Sequence, residues 1–134
     1  MTSLAIRRIR RSAAAVAVLF GIVTLFAGGR VLLGTDPGYQ VFRPLLIYNT
    51  AMGVAYVAAG LILWRGAMSG RFAAGLIFLL NLLALIGIVL VHRTGGGVAV
   101  ESLRAMSFRT LVWLLLWLLA GWLSRRERAG SSPS

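Results

Sequence analysis

The stretch F-A-A-G-L-I-F-L-L-N-L-L-A-L-I-G-I-V-L-V fills residues 72–91. It carries no charge, and Asn81 is its one strongly polar side chain. An apolar run of about 20 residues matches the hydrocarbon thickness of a bilayer, whereas a buried core helix needs only about 10–14. With no water in that layer, a helix is the local structure that pairs the backbone groups of such a run within itself. The stretch therefore predicts a transmembrane span. Its one amide needs a partner, normally across a helix interface.

Upstream, residues 64–71 (W-R-G-A-M-S-G-R) form a short link with Trp64 as an interface anchor and Arg65 and Arg71 as its charges. Residues 45–64 before it read as another span, carrying Tyr48, Asn49, Thr50 and Tyr56. Ala51, Ala55 and Ala59 fall four apart with Gly53 and Gly60 beside them. Small residues let helix backbones approach in lipid, so this face should pack on a neighbour. In an antiparallel pair Tyr56 comes to the depth of Asn81, and the two are expected close together. Residues 34–44 are a loop, where Asp36-Pro37-Gly38 is turn chemistry and Pro44 suits a first helical turn. The first span, 12–33, follows a basic segment at 1–11 that ends R-R-I-R-R. A cleavable signal peptide with Ala27-Gly28-Gly29 as its small-residue site is the rival reading. The apolar run is long for a signal core, which favours retention.

Downstream, His92 and Arg93 close the third helix and Gly95-Gly96-Gly97 break it. A helical pattern resumes near Val98 and runs to 124, with 105–124 as the fourth span. Residues 125–134 read as a basic disordered tail. The fold class is thus all-α: an integral membrane four-helix bundle of up-down topology, over residues 12–124.

Composition agrees. The 134 residues are 59% apolar and only 13% charged, where a soluble domain carries about 25% charge. The absence of cysteine excludes disulfides and thiolate metal or iron–sulfur sites. All fourteen cations are arginine, which reflects codon usage more than physics. A net charge of +11 in a soluble protein would suggest nucleic acid. Here the arginines sit where spans end, so anionic headgroups are the expected partner and nucleic acid is not.

Four spans put the N-terminus, the 64–71 link and the C-terminus on one side. That side holds nine arginines, against five for Arg30, Arg43, Arg93, Arg104 and Arg109. The positive-inside rule then places both termini in the cytoplasm of a bacterial inner membrane. The stretch 92–109 faces outward.

That stretch holds most of the unusual side chains. Glu101 and Arg104 are three apart on one helix, and Arg109 lies about 80° round from Glu101. Arg109 begins the apolar run of the last span. Either it snorkels outward or pairs with Glu101, or it holds an anionic or carbonyl-bearing ligand. His92 at a helix C-terminus suits the helix dipole and headgroups. A His92–Met106 haem is chemically allowed, while His92 and Glu101 alone lack the ligands for zinc or copper. No metal or cofactor is predicted. A pocket is expected among Tyr48, Asn49, His92, Glu101, Arg104 and Arg109, open to a quinone, lipid, haem or metal. Trp113 and Trp117 share one face of the last helix, for packing and an aromatic belt, with Trp122 on the opposite side. No catalytic triad order, H-E-x-x-H or phosphate loop is visible, so no enzyme is predicted.

The order F-A-G-G (26–29), N-T-A-M-G-V-A-Y-V-A-A-G (49–60) and H-R-T-G-G-G-V-A-V-E-S-L-R-A-M-S-F-R-T-L-V-W (92–113) resembles a family of small bacterial four-span membrane proteins. The resemblance covers roughly residues 20–117 and rests on Asn49, Gly53, Tyr56, Gly60, His92, the glycines at 95–97, Glu101, Ala105-Met106, Arg109 and Trp113. It implies a retained first helix and an outward working stretch, and it brings no activity with it. A tryptophan fitting the pattern just before the third span is missing, Phe72 being nearest. The leading expectation is a non-enzymatic accessory or structural subunit of a larger membrane complex. A ligand-binding module comes second and a small homo-oligomeric transporter or channel third.

Overall fold

The computed structural model describes residues 2–131, with side chains through Ala129. Those residues form four helices and no strand: α1 (Ser3–Leu32), α2 (Arg43–Arg65), α3 (Ala67–Arg93) and α4 (Val100–Ser131). Each is long and apolar enough to cross a membrane.

The helices outrun the expected spans at their ends. The basic segment 1–11 is not separate, because α1 already starts at Ser3. Thr2 caps it, its hydroxyl accepting from the Ala5 amide at 3.1 Å. No glycine or proline interrupts the chain before Gly21. The tail expected to be disordered from 125 is helical to Ser131; residues 132–134 lie outside the described residues. Arg, Glu and Ala are good helix formers, and Glu127 gains a long-range partner in Arg10, paired at 2.5 Å. Arg10 also donates to the Trp64 carbonyl at 3.0 Å. One side chain thus joins the start of α1, the end of α2 and the end of α4. The link between α2 and α3 contracts to Gly66.

The two longer connections use glycine where the backbone turns. Gly38 has φ +85°, and its amide donates to the Asp36 carboxylate at 2.9 Å. Gly95, with φ +83°, closes α3. Pro44 sits in the first turn of α2, as its lack of an N–H favours.

Close packing between α1 and α2 is set by glycines. A Cβ on Gly60 would stand 2.9 Å from the Ala14 carbonyl oxygen and 2.9 Å from the Val18 amide nitrogen. One on Gly21 would stand 2.7 Å from the Gly53 carbonyl oxygen. The small-residue face expected on α2 is therefore used, but rotated. Gly53, Tyr56, Ala59 and Gly60 are buried while Ala51 is exposed. The central core joins Ala14, Ala17, Tyr56, Ala74, Ile77, Trp113 and Ala120 from all four helices. Trp113 stacks on Tyr56 with ring centroids 4.9 Å apart. The outside is apolar: Phe26 is 72% exposed, Phe72 70% and Val23 64%.

Candidate functional site

Asn81 is fully buried at the centre of a polar cluster between α2 and α3. Tyr48 donates to its Oδ1 at 2.9 Å, and its Nδ2 donates to the Tyr56 hydroxyl at 3.0 Å. Tyr56 and Asn81 thus meet as their depths require. The cluster continues toward α4, because the Arg109 guanidinium lies close to the Tyr56 hydroxyl. Arg109 donates in turn to Thr24 of α1 at 3.0 Å and stands 5.9 Å from the Phe20 ring centroid. Polar contacts therefore run from α3 through α2 and α4 to α1.

Arg109 turns into the bundle. It neither snorkels nor pairs with Glu101, which is exposed and in no ion pair among the described residues. It begins nine residues into α4, roughly 14 Å along the axis from Val100. No carboxylate pairs with it among the described residues.

Beside Arg109 lies a cavity of about 90 Å³. Its walls are Thr24, Ala27 and Gly28 of α1, Leu45 and Asn49 of α2, and Ser102, Ala105 and Arg109 of α4. Tyr39 and Val41 of the connection between α1 and α2 complete it. Asn49 has a buried amide oxygen with no hydrogen-bond partner. Such an atom costs about 1–3 kcal/mol if left unpaired, so it marks a place where a partner is wanted.

The structure brings together only part of the expected pocket. Asn49 and Arg109 share the cavity. Tyr48 does not, since consecutive residues on a helix point about 100° apart. It faces α3 and lines a separate groove with Ala84, Gly87 and Ile88. His92 faces its own loop, where Nδ1 lies 2.7 Å from the Val98 carbonyl oxygen and donates to it in the Nδ1–H tautomer. Glu101 and Arg104 are exposed and line no wall of the cavity. Met106 is fully buried among Leu45, Ile88 and Val98 and does not line the cavity. No group of three His, Asp or Glu side chains able to hold a metal occurs among the described residues.

Thr24, Tyr39 and Ser102 are wall residues that the sequence reading passed over. Ser102 carried a usable signal. Ser102, Ala105 and Arg109 follow the i, i+3, i+7 spacing of one helix face, whereas Glu101 is turned away from it. Thr24 is the one hydroxyl in the apolar interior of α1. Tyr39 is placed by tertiary folding of a loop, and no local pattern announces it.

Compared with known proteins, the chain matches no family model, no curated protein and no solved structure.

Proposed function

We propose that the chain is a polytopic integral membrane protein that works by binding a ligand in the cavity around Arg109, without catalysis. The membrane assignment is supported by an inside-out distribution of polarity. Large apolar side chains crowd the exterior, while Asn81, Thr24 and Thr110 are buried. A soluble monomer rarely exposes contiguous apolar surface beyond a few hundred Å². An up-down arrangement is supported by the order of the contacts. Gly60 meets Ala14 and Gly53 meets Gly21, while Leu63 meets Gly70 and Tyr56 meets Asn81. In this reading both termini lie in the cytoplasm of a bacterial inner membrane, and the cavity lies toward the outer face.

The observation that carries the binding role is the inward turn of Arg109, without an acid partner among the described residues, onto a cavity shared with the unpaired amide oxygen of Asn49. Binding suits these groups better than catalysis. A guanidinium stays protonated near neutral pH and cannot exchange protons. Neither a carboxylate nor an imidazole lines the wall. The volume, about 90 Å³, is below the usual 300–1,000 Å³ of pockets that enclose a whole small molecule. A haem or a complete quinone ring system therefore does not fit inside, and a small polar head does.

Native mass spectrometry of the protein extracted gently from its own membrane tests this reading. A bound species of defined mass should be present, and Arg109→Ala should lose it. Retention by both Arg109→Ala and Asn49→Ala would overturn the reading.

A second reading, the accessory subunit, is favoured by the outer surface of α3. Leu76, Leu79, Leu83, Ile86 and Leu90 are all exposed there at helical spacing. Leu76 and Leu79 of this row line a groove together with Phe72, Gly75 and Trp117. Co-purification with a larger membrane partner at fixed stoichiometry is the outcome that distinguishes it.

A further inference from the structure

Resting on the cavity reading above, we infer that the ligand is the oxyanion head, phosphate or carboxylate, of an amphiphile whose apolar part stays outside the cavity. Three features lead to this. The first is charge. Arg109 is the one charged side chain on the cavity wall, and neither Asp nor Glu lies among the lining residues. A guanidinium held away from bulk water gains most from an oxyanion, which it can meet through two parallel N–H bonds. At present it donates to Thr24 and lies close to the Tyr56 hydroxyl, both neutral oxygens, so its charge is not matched by an anion among the described residues.

The second feature is the chemistry around that charge. Ser102 and Tyr39 contribute hydroxyls and Asn49 an amide to the same wall. All three can donate to an oxyanion, Asn49 through Nδ2, and none can neutralise an ammonium; the unpaired Asn49 Oδ1 accepts only, and is matched by the P–OH of a singly protonated phosphate head. A zwitterionic head such as phosphocholine would bring a cation beside Arg109 with no acid to receive it. A neutral carbonyl could accept from Arg109 but would leave the charge unmatched in a poorly solvated place.

The third feature is size and surroundings. About 90 Å³ admits a head and excludes a long chain. Ala27 and Val31 line the cavity, while Val23, Phe26 and Leu32 of the same helix stand exposed. A tail leaving the cavity thus meets apolar helix surface immediately. The same head chemistry also exists on small soluble anions, and the two sources are separable by experiment.

The full chain, stripped of lipid in a neutral maltoside detergent, is titrated with probes that share one tail and differ in the head. These are dodecyl phosphate, dodecanoate and dodecylphosphocholine; inorganic phosphate and acetate serve as tail-less anions. One equivalent of dodecyl phosphate or dodecanoate is expected to bind, with dodecylphosphocholine weaker by about tenfold or more. Arg109→Gln should lose that binding by about tenfold or more, whereas Arg43→Gln and Arg93→Gln, on exposed arginines, should leave it unchanged. Asn49→Ala, which leaves the Arg109–Thr24 bond in place, provides a second variant and should also weaken binding. Circular dichroism reports whether each variant keeps its helices.

Tail-less anions that bind as tightly as the amphiphiles would overturn the amphiphile part of the inference. Equal binding of dodecylphosphocholine, or binding that survives Arg109→Gln in a folded protein, would overturn the oxyanion part. If a neutral molecule instead co-purifies and depends on Arg109, the ligand class falls while the cavity stands. If folded Arg109→Gln and Asn49→Ala both keep whatever the parent binds, the cavity reading falls too.

Discussion

A single amide organises the centre of the molecule. Asn81 receives the Tyr48 hydroxyl and donates to Tyr56, so one side chain settles two others in an apolar core. Interhelical hydrogen bonds of this kind average about 0.6 kcal/mol in membrane proteins and reach about 1.7. Asn81→Leu strands the Tyr48 hydroxyl and leaves Tyr56 with Arg109 alone, and should destabilise by about 1–2 kcal/mol in equilibrium unfolding from mixed micelles. Tyr48→Phe leaves the Asn81–Tyr56 bond intact and should lose about 0.5 kcal/mol. Adding Tyr48→Phe to Asn81→Leu should recover part of the loss, because one stranded hydroxyl is removed. An Asn81→Leu protein as stable as the parent would sink this account. This contact was legible because a lone amide in a twenty-residue apolar run has few places to go. The Arg109 cavity was legible in half. Arg109 and Asn49 could be picked out as polar groups at the edge of spans. Their assignment with Tyr48, Glu101 and Arg104 failed on angle, since each of those points to a different face from the cavity.

At the scale of the elements, the pairing of α1 with α2 depends on glycines seven apart, Gly21 and Gly28 against Gly53 and Gly60. Seven residues bring a helix back to nearly the same face, so each pair lines one seam. The alanines at 51, 55 and 59 were the more conspicuous pattern, and they lie only partly on that seam because Ala51 is exposed. Composition identified α2 as a close-packing helix, but which of its faces meets α1 depends on α1 as well. The consequence is a sharp contrast between two substitutions of the same type. A Cβ at Gly60 meets backbone atoms of α1, which cannot rotate away, so Gly60→Ala should cost about 1–3 kcal/mol through displaced helices. A Cβ at Gly87 meets nothing within 4 Å. Gly87→Ala should be neutral, or stabilising by up to about 1 kcal/mol through helix propensity. Thermal unfolding of the two variants in one detergent checks the order. A parent that melts like Gly60→Ala would mean that the seam carries no weight.

For the whole molecule, the distribution of arginine makes a claim about direction. Arg7, Arg8, Arg10, Arg11, Arg65, Arg71, Arg125, Arg126 and Arg128 flank the termini and the link at Gly66. Arg10, through Glu127 and the Trp64 carbonyl, gathers those segments at one end of the molecule. The opposite end is poorer in charge than its sequence count suggests, because Arg109 turns inward. The sequence could count the charges, but it could not show that one of them is withdrawn from the surface. Both effects act the same way, and under the positive-inside rule they support the orientation proposed above, with the arginine-rich end in the cytoplasm. The chain has no cysteine, so single introduced cysteines report on direction without background. In intact cells an impermeant maleimide should label Thr35→Cys and Thr94→Cys, both exposed positions in the opposite loops. Ser3→Cys and Ser69→Cys, exposed at the arginine-rich end, should react only after lysis. The reverse pattern would invert the orientation, and labelling of positions 3 and 94 from one side would break the four-span reading. Replacing Arg7, Arg8 and Arg11 with asparagine spares the Arg10–Glu127 pair and lowers the arginine-rich end from nine arginines to six. Since that leaves little bias over the other end, a fraction of the chains should then insert inverted, and maleimide should begin to reach Ser69→Cys in intact cells.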